Sequence, residues 1–352
     1  MPICADMGER RSLIAFDARD AAGPQPRGWG RYAANLLAAL PPVLSDGLAL
    51  DPVLQGTWGL EVLFEQVVLP LRLRRRGADL IHSTNCFLPL LRPCPGVVTI
   101  HDLAFEEWPA DFAPQTGLKY RRLTPRAARS AERVICPSRF TRDDVCTRYG
   151  IDPDKVRVIP EAPALALAPG PDEAEAPPPS EPYLLAVGDL RQKKNLDQLV
   201  EAFAGLWRQR AIPHRLVLAG VDSGQGGRLR ALAGESPVEL TGYVSDASLD
   251  GLIRGADLLV NPSLYEGFGL VVLEAMARGT AVLAARAGAL PETGGDAAAY
   301  FEPRDPGSLA AALDALLRDA PARDELVKRG RAWARGFSWE RTGRETVAVY
   351  QE

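Results

Sequence analysis

Short, continuous apolar runs alternate with helix-period stretches along most of the chain. "SLIAFDA", "ADLIHST", "PGVVTIHDL" and "ERVICPS" read as strands buried on both faces, the habit of parallel sheets. Between them, "GWGRYAANLLAAL" reads as a loop entering a helix, and the Arg-rich stretch around "YRRLTPRAARSA" as a longer helix. A second alternation follows, with strands "YLLAVGDL", "RLVLAGV", "VELTGYV", "DLLVNPS", "TAVLAA" and "AAAYFE". Its helices are "NLDQLVEAFAGLW", "ASLDGLIRGA", the stretch after Gly269, and "GSLAAALDALLRDA". The intervening "EAPALALAPGPDEAEAPPPSEP" is too rich in Pro, Ala and acids for regular structure and reads as a linker. The pattern predicts an α/β protein of two doubly wound, parallel-sheet, Rossmann-like domains facing across a cleft. They span residues 1–165 and 183–337, joined over 166–182, with a final helix over 338–352. Ligands of such sheets bind at the carboxyl ends of the strands, so the cleft is where the chemistry is expected.

The totals narrow the class without naming it. A chain of 352 residues, 46% hydrophobic and 24% charged, supports two ordinary cores. A net charge of −4 gives no reason to expect a nucleic-acid partner. Cys4, Cys86, Cys94, Cys136 and Cys146 have no metal-type spacing and read as reduced thiols. With no secretory pattern at the start and no apolar run of membrane-spanning length, a cytoplasmic protein is expected.

The first local conflict is in "GDLRQKKNLDQLVEAF". Asn195 reads as a helix N-cap, with Gln198 completing a capping box. Arg191, Lys193 and Lys194 crowd the positive end of that helix, where cations are disfavoured by roughly 0.3–1 kcal/mol each. An anion resting there would compensate; a solvated surface cluster is the plainer alternative. The second conflict is in "NPSLYEGFGLVVLEAMARGTAVLA". Gly267 and Gly269 permit close backbone approach, and free amides around Phe268, Gly269, Leu270 and Val271 make another anion cradle. Glu274 lies about one turn into the helix, in apolar company, where a ribose diol would satisfy a carboxylate that is otherwise costly to bury. Glu266, at the mouth of the turn, is placed to accept hydrogen bonds from the hydroxyls of a sugar.

In the N-terminal half, "RGWGRY" offers Gly28 and Gly30. It lacks the third glycine of a nicotinamide fingerprint and starts too far from its strand, even though Asp51 lies at about the ribose-reading distance. A flexible glycine loop facing the cleft is the better reading. "TIHDLAF" puts His101 and Asp102 at the end of an apolar strand, where site residues of α/β sheets gather. Neither they nor the other histidines, His82 and His214, form a spaced set of metal ligands.

With these residues in place, the chain resembles the family-4 retaining glycosyltransferases of the GT-B fold. "GWGRY", "HSTNCFLP", "VVTIHDLAF", "ERVICPSRFTRDDV", "KVRVIPEA", "VGDLRQKKNL", "LTGYVSD", "LPETGGDAA" and "FSWER" carry the resemblance beside the two-glutamate stretch, over nearly the whole chain. The resemblance implies that Glu266 binds donor-sugar hydroxyls and Glu274 the ribose. Amides of Phe268, Gly269 and Leu270 would meet the diphosphate and sugar, with Lys194 on the diphosphate. Gly28 to Gly30 would flank the phosphates, and backbone at Tyr243 and Val244 would hold the base. His101 would contact the donor sugar, and Asp102 would lie toward the acceptor. The N-terminal domain would bind the acceptor and the C-terminal one the nucleotide-sugar donor, and the last helix would pack back on the N-terminal domain. Many members carry Arg where this chain has Asp189, so Arg191 or Lys193 is expected to replace that charge. Val271 stands at a usual proline.

The implied reaction moves a sugar from a nucleotide-diphosphate-sugar donor to an acceptor hydroxyl on a glycan, a lipid-linked sugar or a small molecule. It would proceed with retention, by front-face attack, with no metal and no cofactor. A nucleotide-sugar epimerase, a phosphorylase and a non-catalytic nucleotide-sugar binding module are the rivals. Arg72, Arg74, Arg75 and Arg76, with Lys119, Arg121, Arg122, Arg126 and Arg129, make a basic patch suited to peripheral contact with anionic lipid. A solvated basic face is the alternative.

Overall fold

A computed structural model describes residues 11–22, 28–55, 61–164, 181–209 and 212–352. Most of the expected linker, and Arg27 of the glycine motif, lie outside the described residues. The first sheet holds β1 (Ser12–Asp17), β2 (Leu48–Val53), β3 (Leu80–Ser83), β4 (Gly96–Thr99), β5 (Arg133–Cys136) and β6 (Val156–Val158). Its order is β2-β1-β3-β4-β5-β6, with every described pairing parallel. The second sheet holds β7 (Tyr183–Val187), β8 (Arg215–Ala219), β9 (Val238–Gly242), β10 (Leu258–Asn261), β11 (Val282–Ala285) and β12 (Ala299–Phe301). Its order is β12-β11-β10-β7-β8-β9, again parallel.

The central strands bury both faces, as their unbroken apolar runs predict: β4, β10 and β11 are buried at every residue. Two strands break that rule and are not apparent from hydrophobic pattern. β2 carries Asp51 and Pro52, which a central strand would exclude, but among the described strands it lies at an edge and pairs with β1 alone. β6 is three residues long at the opposite edge. The basic patch is also more than a patch: residues 61–76 form one helical run, with a π-helical stretch at Phe64–Val68 between two α-helical pieces.

The last helix, Trp339–Tyr350, lies against the helix Trp29–Ala39 beside the first sheet. Gly343 makes that approach close, since a Cβ there would stand 3.2 Å from the Ala39 carbonyl oxygen. The Tyr350 hydroxyl meets His82 Nδ1 at 2.6 Å, and Thr99 Oγ1 meets Nε2 at 2.9 Å. His82 is fully buried, and burial pushes its pKa down to about 3, so this histidine is a neutral structural link. Cys86, Cys94 and Cys136 are buried, unpaired thiols and Cys146 a half-buried one. Among the described residues no helix is long and apolar enough to cross a membrane.

Candidate active site

Strand order in the second sheet reverses between β7 and β10, and ligands of doubly wound sheets settle at such a switch point. The chain leaving β7 carries the lysines and the chain leaving β10 carries the glutamates, so topology brings together motifs far apart in sequence. After β7 comes Gly188 at φ +135°, where a Cβ would stand 2.9 Å from Lys194 Cε. A bare backbone there lets the Lys194 side chain fold back over the strand end. Residues Gln192–Lys194 form a 3-10 turn, and Asn195 adopts the left-handed conformation (φ 51°) at the head of the helix Leu196–Arg208. In that conformation its side chain caps no backbone amide and donates instead to Gln198 Oε1. The capping box is therefore not formed, because such a cap needs extended backbone.

After β10, Gly269 (φ 94°) opens the helix Leu270–Arg278 with no side-chain cap. Gly267 has a different reason to be glycine: a Cβ there would lie 1.8 Å from the His101 carbonyl oxygen of the opposite lobe. Ser138 and Thr141 hydroxyls, also from the first lobe, donate to the Gly267 carbonyl at 2.6 and 3.0 Å. Two further clamps cross between the lobes. Asp111 accepts from the amides of Gln192 and Lys193, and Glu292 accepts from those of Arg139 and Phe140. Each carboxylate sits at the start of a turn or helix on the other lobe, where free amides favour an anion.

Lys194 Nζ lies 2.5 Å from Glu266 Oε1, which also accepts from Ser263 Oγ at 2.8 Å. Burial works to raise the Glu266 pKa, but the charges of Lys194 and Lys193 and these hydrogen bonds bring it to about 2. Lys193 is buried and pairs with Asp102 at 3.2 Å. Burial opposes its charge, yet Asp102 and Glu266 outweigh that and raise its pKa. It pins one lobe to the other, and Asp102 is spent on the same pair. Arg191 lies over the Phe112 ring, 5.3 Å from its centre, and reaches Asp189 at 3.5 Å.

Two adjoining cavities occupy the cleft. An inner one of about 240 Å³ is lined by His101, Lys194, Glu266, Gly267, Phe268, Gly269, Leu270 and Glu274. An outer one of about 540 Å³ is lined by Asp102, Arg191, Lys193, Tyr243 and Val244, with Lys194. Gly28 lines both, whereas Gly30 is buried and lines neither. The glycine motif is not a loop here: Gly28 is the N-cap (φ 34°) of the helix Trp29–Ala39. Among the described residues no group of three or more His, Cys, Asp or Glu side chains is arranged to hold a metal.

His101 lines the inner cavity, but both ring nitrogens are engaged: Nδ1 with Glu161 Oε1 and Nε2 with the Thr84 carbonyl, each at 2.8 Å. A carbonyl and a carboxylate both ask for an N–H. Burial lowers the His101 pKa, and Glu161 more than reverses this, so the ring is held toward its cationic form. Trp29 stacks beside it, with centroids 6.1 Å apart. Glu161 and Arg31 line the cleft and are not apparent as site residues from sequence. Arg31 follows the Gly-Trp-Gly motif and ion-pairs with Asp246 across the cleft. Glu161 ends the "VRVIPE" run, and its partner is 60 residues away.

Comparison with known proteins places this geometry. Residues 48–162 match the family described as Glycosyltransferase Family 4, and residues 172–333 match Glycosyl transferases group 1. The chain is 29% identical over 284 residues to O-antigen chain mannosyltransferase B of Escherichia coli, covering 77% of this chain and 73% of that protein. It is 30% identical over 298 residues to the MMP alpha-(1->4)-mannosyltransferase of Mycolicibacterium hassiacum, covering 79% and 72%. Anabaena HepE, solved in complex with UDP and glucose, has the same fold, with a TM-score of 0.70 at 19% identity over 97% of this chain and 100% of HepE. Paired parallel sheets, glycine-capped switch-point turn and family matches converge: this chain belongs to the family-4, group 1 glycosyltransferases and is a glycosyltransferase of GT-B fold.

Proposed function

We propose that this enzyme transfers a hexose from a nucleotide-diphosphate-sugar donor to an acceptor hydroxyl, with retention of anomeric configuration and with neither metal nor cofactor. The observation that carries the reading is the partly buried Lys194–Glu266 pair beside the uncapped, glycine-led helix tip at the switch point. The diphosphate lies against Lys194 and the amides of Gly269, Leu270 and Val271. Glu274 takes the ribose, the chain at Tyr243 and Val244 takes the base, and Glu266 takes the sugar hydroxyls. Arg31, on the opposite wall, supplies the second cation that Asp189 leaves missing.

In the transfer, the bond from the sugar C1 to the diphosphate oxygen breaks with its electron pair, and the acceptor oxygen bonds C1 from the same face. The acceptor's proton passes to the departing diphosphate. Negative charge grows on that leaving group; Lys194 and the helix tip line the pocket that receives it, and Arg31 exchanges its Asp246 partner for it. The HepE complex with UDP and the two mannosyltransferase relatives support a nucleotide-sugar donor and a hexosyl product. A panel of UDP- and GDP-hexoses, offered with glycoside acceptors in the presence of a chelator, tests the reading. Proton NMR of the product is expected to show the donor's anomeric configuration at an undiminished rate. An inverted product, or a rate abolished by the chelator and restored by a divalent cation, would refute retention or metal independence respectively.

The enzyme acts in the cytoplasm, with the helical run 61–76 resting on the membrane. Val62, Leu63, Val67, Val68 and Leu71 are exposed there beside Arg74, Arg75 and Arg76. Apolar side chains next to cations are what an interfacial helix needs. At about 1 kcal/mol per arginine near an anionic surface, three exposed arginines account for roughly a hundredfold in partitioning. Co-sedimentation with phosphatidylglycerol vesicles is expected at low salt, and its loss on replacing Arg72, Arg74, Arg75 and Arg76 by Gln. Absence of binding by the unaltered protein at low salt would end this part of the reading.

A further inference from the structure

The N-terminal lobe contains a larger cavity, of about 820 Å³, that the donor chemistry above leaves unused. It opens at the switch point of the first sheet, where strand order reverses between β1 and β3. Asp17, Arg19 and Asp20 come from the end of β1, Thr84 and Asn85 from the end of β3, and Glu65 from the helical run after β2. Trp29 lines this cavity and both parts of the donor cleft, so a molecule held here faces the reacting sugar.

Ion pairing determines the kind of molecule. Arg19 donates to both carboxylate oxygens of Asp17, at 2.8 and 2.9 Å, and lies 3.4 Å from Glu65. Lys119 is held by Glu61 at 3.0 Å and Glu65 at 3.2 Å, above the Phe87 ring. Both lining cations are therefore occupied by carboxylates, and the four lining acids, Asp17, Asp20, Glu61 and Glu65, outnumber them. Burial raises the pKa of Asp20 and of Glu65, outweighing Asn85 on the first and Lys119 and Arg19 on the second. Glu65 is only 5% exposed, and its Oε2 has no hydrogen-bond partner. A hydroxyl donates to such an oxygen; a phosphate brings only further negative charge. The rings of Trp29, Tyr120 and Phe87 form a contiguous apolar wall, with centroids 5.5 and 4.6 Å apart along the row.

We infer that this cavity, as the acceptor end of the cleft, selects an uncharged sugar, whose hydroxyls donate to Glu65 and Asp20 while a ring face packs on Trp29 and Tyr120. The inference rests on the glycosyl-transfer reading of the donor cleft. Acceptors bearing phosphate at the bound ring are excluded by the same carboxylates.

Saturation-transfer NMR on the full chain tests it directly, with methyl glycosides of mannose, glucose, galactose and rhamnose against mannose 6-phosphate and glucose 6-phosphate. At least one neutral glycoside is expected to bind, each sugar phosphate at least tenfold more weakly. Glu65→Gln and Asp20→Asn should each weaken the neutral glycoside about tenfold, the scale of one hydrogen bond to a charged group. Calorimetry with UDP and GDP runs alongside, and nucleotide affinity should be unchanged in both variants. Tighter binding of the phosphates, no binding of any neutral glycoside, or undiminished binding by both variants would each overturn the inference. Failure of the unaltered protein to bind either nucleotide would count against the donor reading instead. Should a variant misfold, the comparison of neutral and phosphorylated sugars on the unaltered chain still decides the matter.

Discussion

Lys194→Ala is expected to lower kcat by roughly 10²- to 10³-fold, about 3–4 kcal/mol, the usual loss when one preorganised partner of a developing negative charge is removed. The ammonium stands at the switch point against Glu266, in the cavity the helix tip also lines, and its side chain is 17% exposed, so water replaces it poorly. Donor affinity falls as well, but less, since the diphosphate is charged before reaction and more so during it. The substitution also leaves Glu266 with its burial and without its nearest cation, so that carboxylate titrates higher than its present value of about 2. Lys194→Arg is expected to restore affinity better than turnover, because the planar fork keeps the charge and loses the point contact. Donor affinity by calorimetry and kcat under saturating donor separate the two effects. Wild-type turnover in Lys194→Ala would remove the diphosphate role altogether.

Glu266→Gln is expected to cost roughly 10- to 100-fold in turnover, the range for losing a hydrogen bond to a charged group. Its second signature is in stability. The folded pKa of Glu266 lies below the ordinary 4.5, at about 2, so its ionised form stabilises the fold above pH 4.5. That contribution is lost as pH falls from about 4.5 toward 2. A shift of this size corresponds to something on the order of 3 kcal/mol, shared with Lys193 and Lys194. Denaturant unfolding at pH 7, 5, 4 and 3 should therefore show the unaltered protein losing stability with acid more steeply than Glu266→Gln. Parallel curves would mean that the Lys194–Glu266 contact does not hold the carboxylate ionised.

The residues that were legible in advance share one property: their constraint is local. Glu266, Gly267, Gly269 and Glu274 occupy one short segment, and a left-handed glycine at a helix start can be read from residue type and spacing. Lys194 announced itself by standing where a helix repels cations. Gly30 and Asn195 show the opposite case. Gly30 became a buried residue in the first turn of a helix, and Asn195 took a left-handed turn in place of a cap, because the fold around them chose the backbone. Likewise, β2 was hidden by Asp51 and Pro52, which are acceptable only once the strand is known to lie at an edge.

The amino-acid sequence by itself determined the layered α/β plan, since burial on both faces of a strand writes a continuous apolar run. It also determined the glycine-led turn and its carboxylates, since backbone freedom and helix-end charge act over a few residues. Only the tertiary structure decided the partners: Lys194 with Glu266 across 72 positions, His101 with Glu161 across 60, Arg19 with Glu65 across 46. Electrostatic and hydrogen-bond energies depend on separations of a few ångströms that packing alone sets. The same arginine or glutamate is therefore a solvated surface charge or part of a binding site according to which strand ends lie side by side.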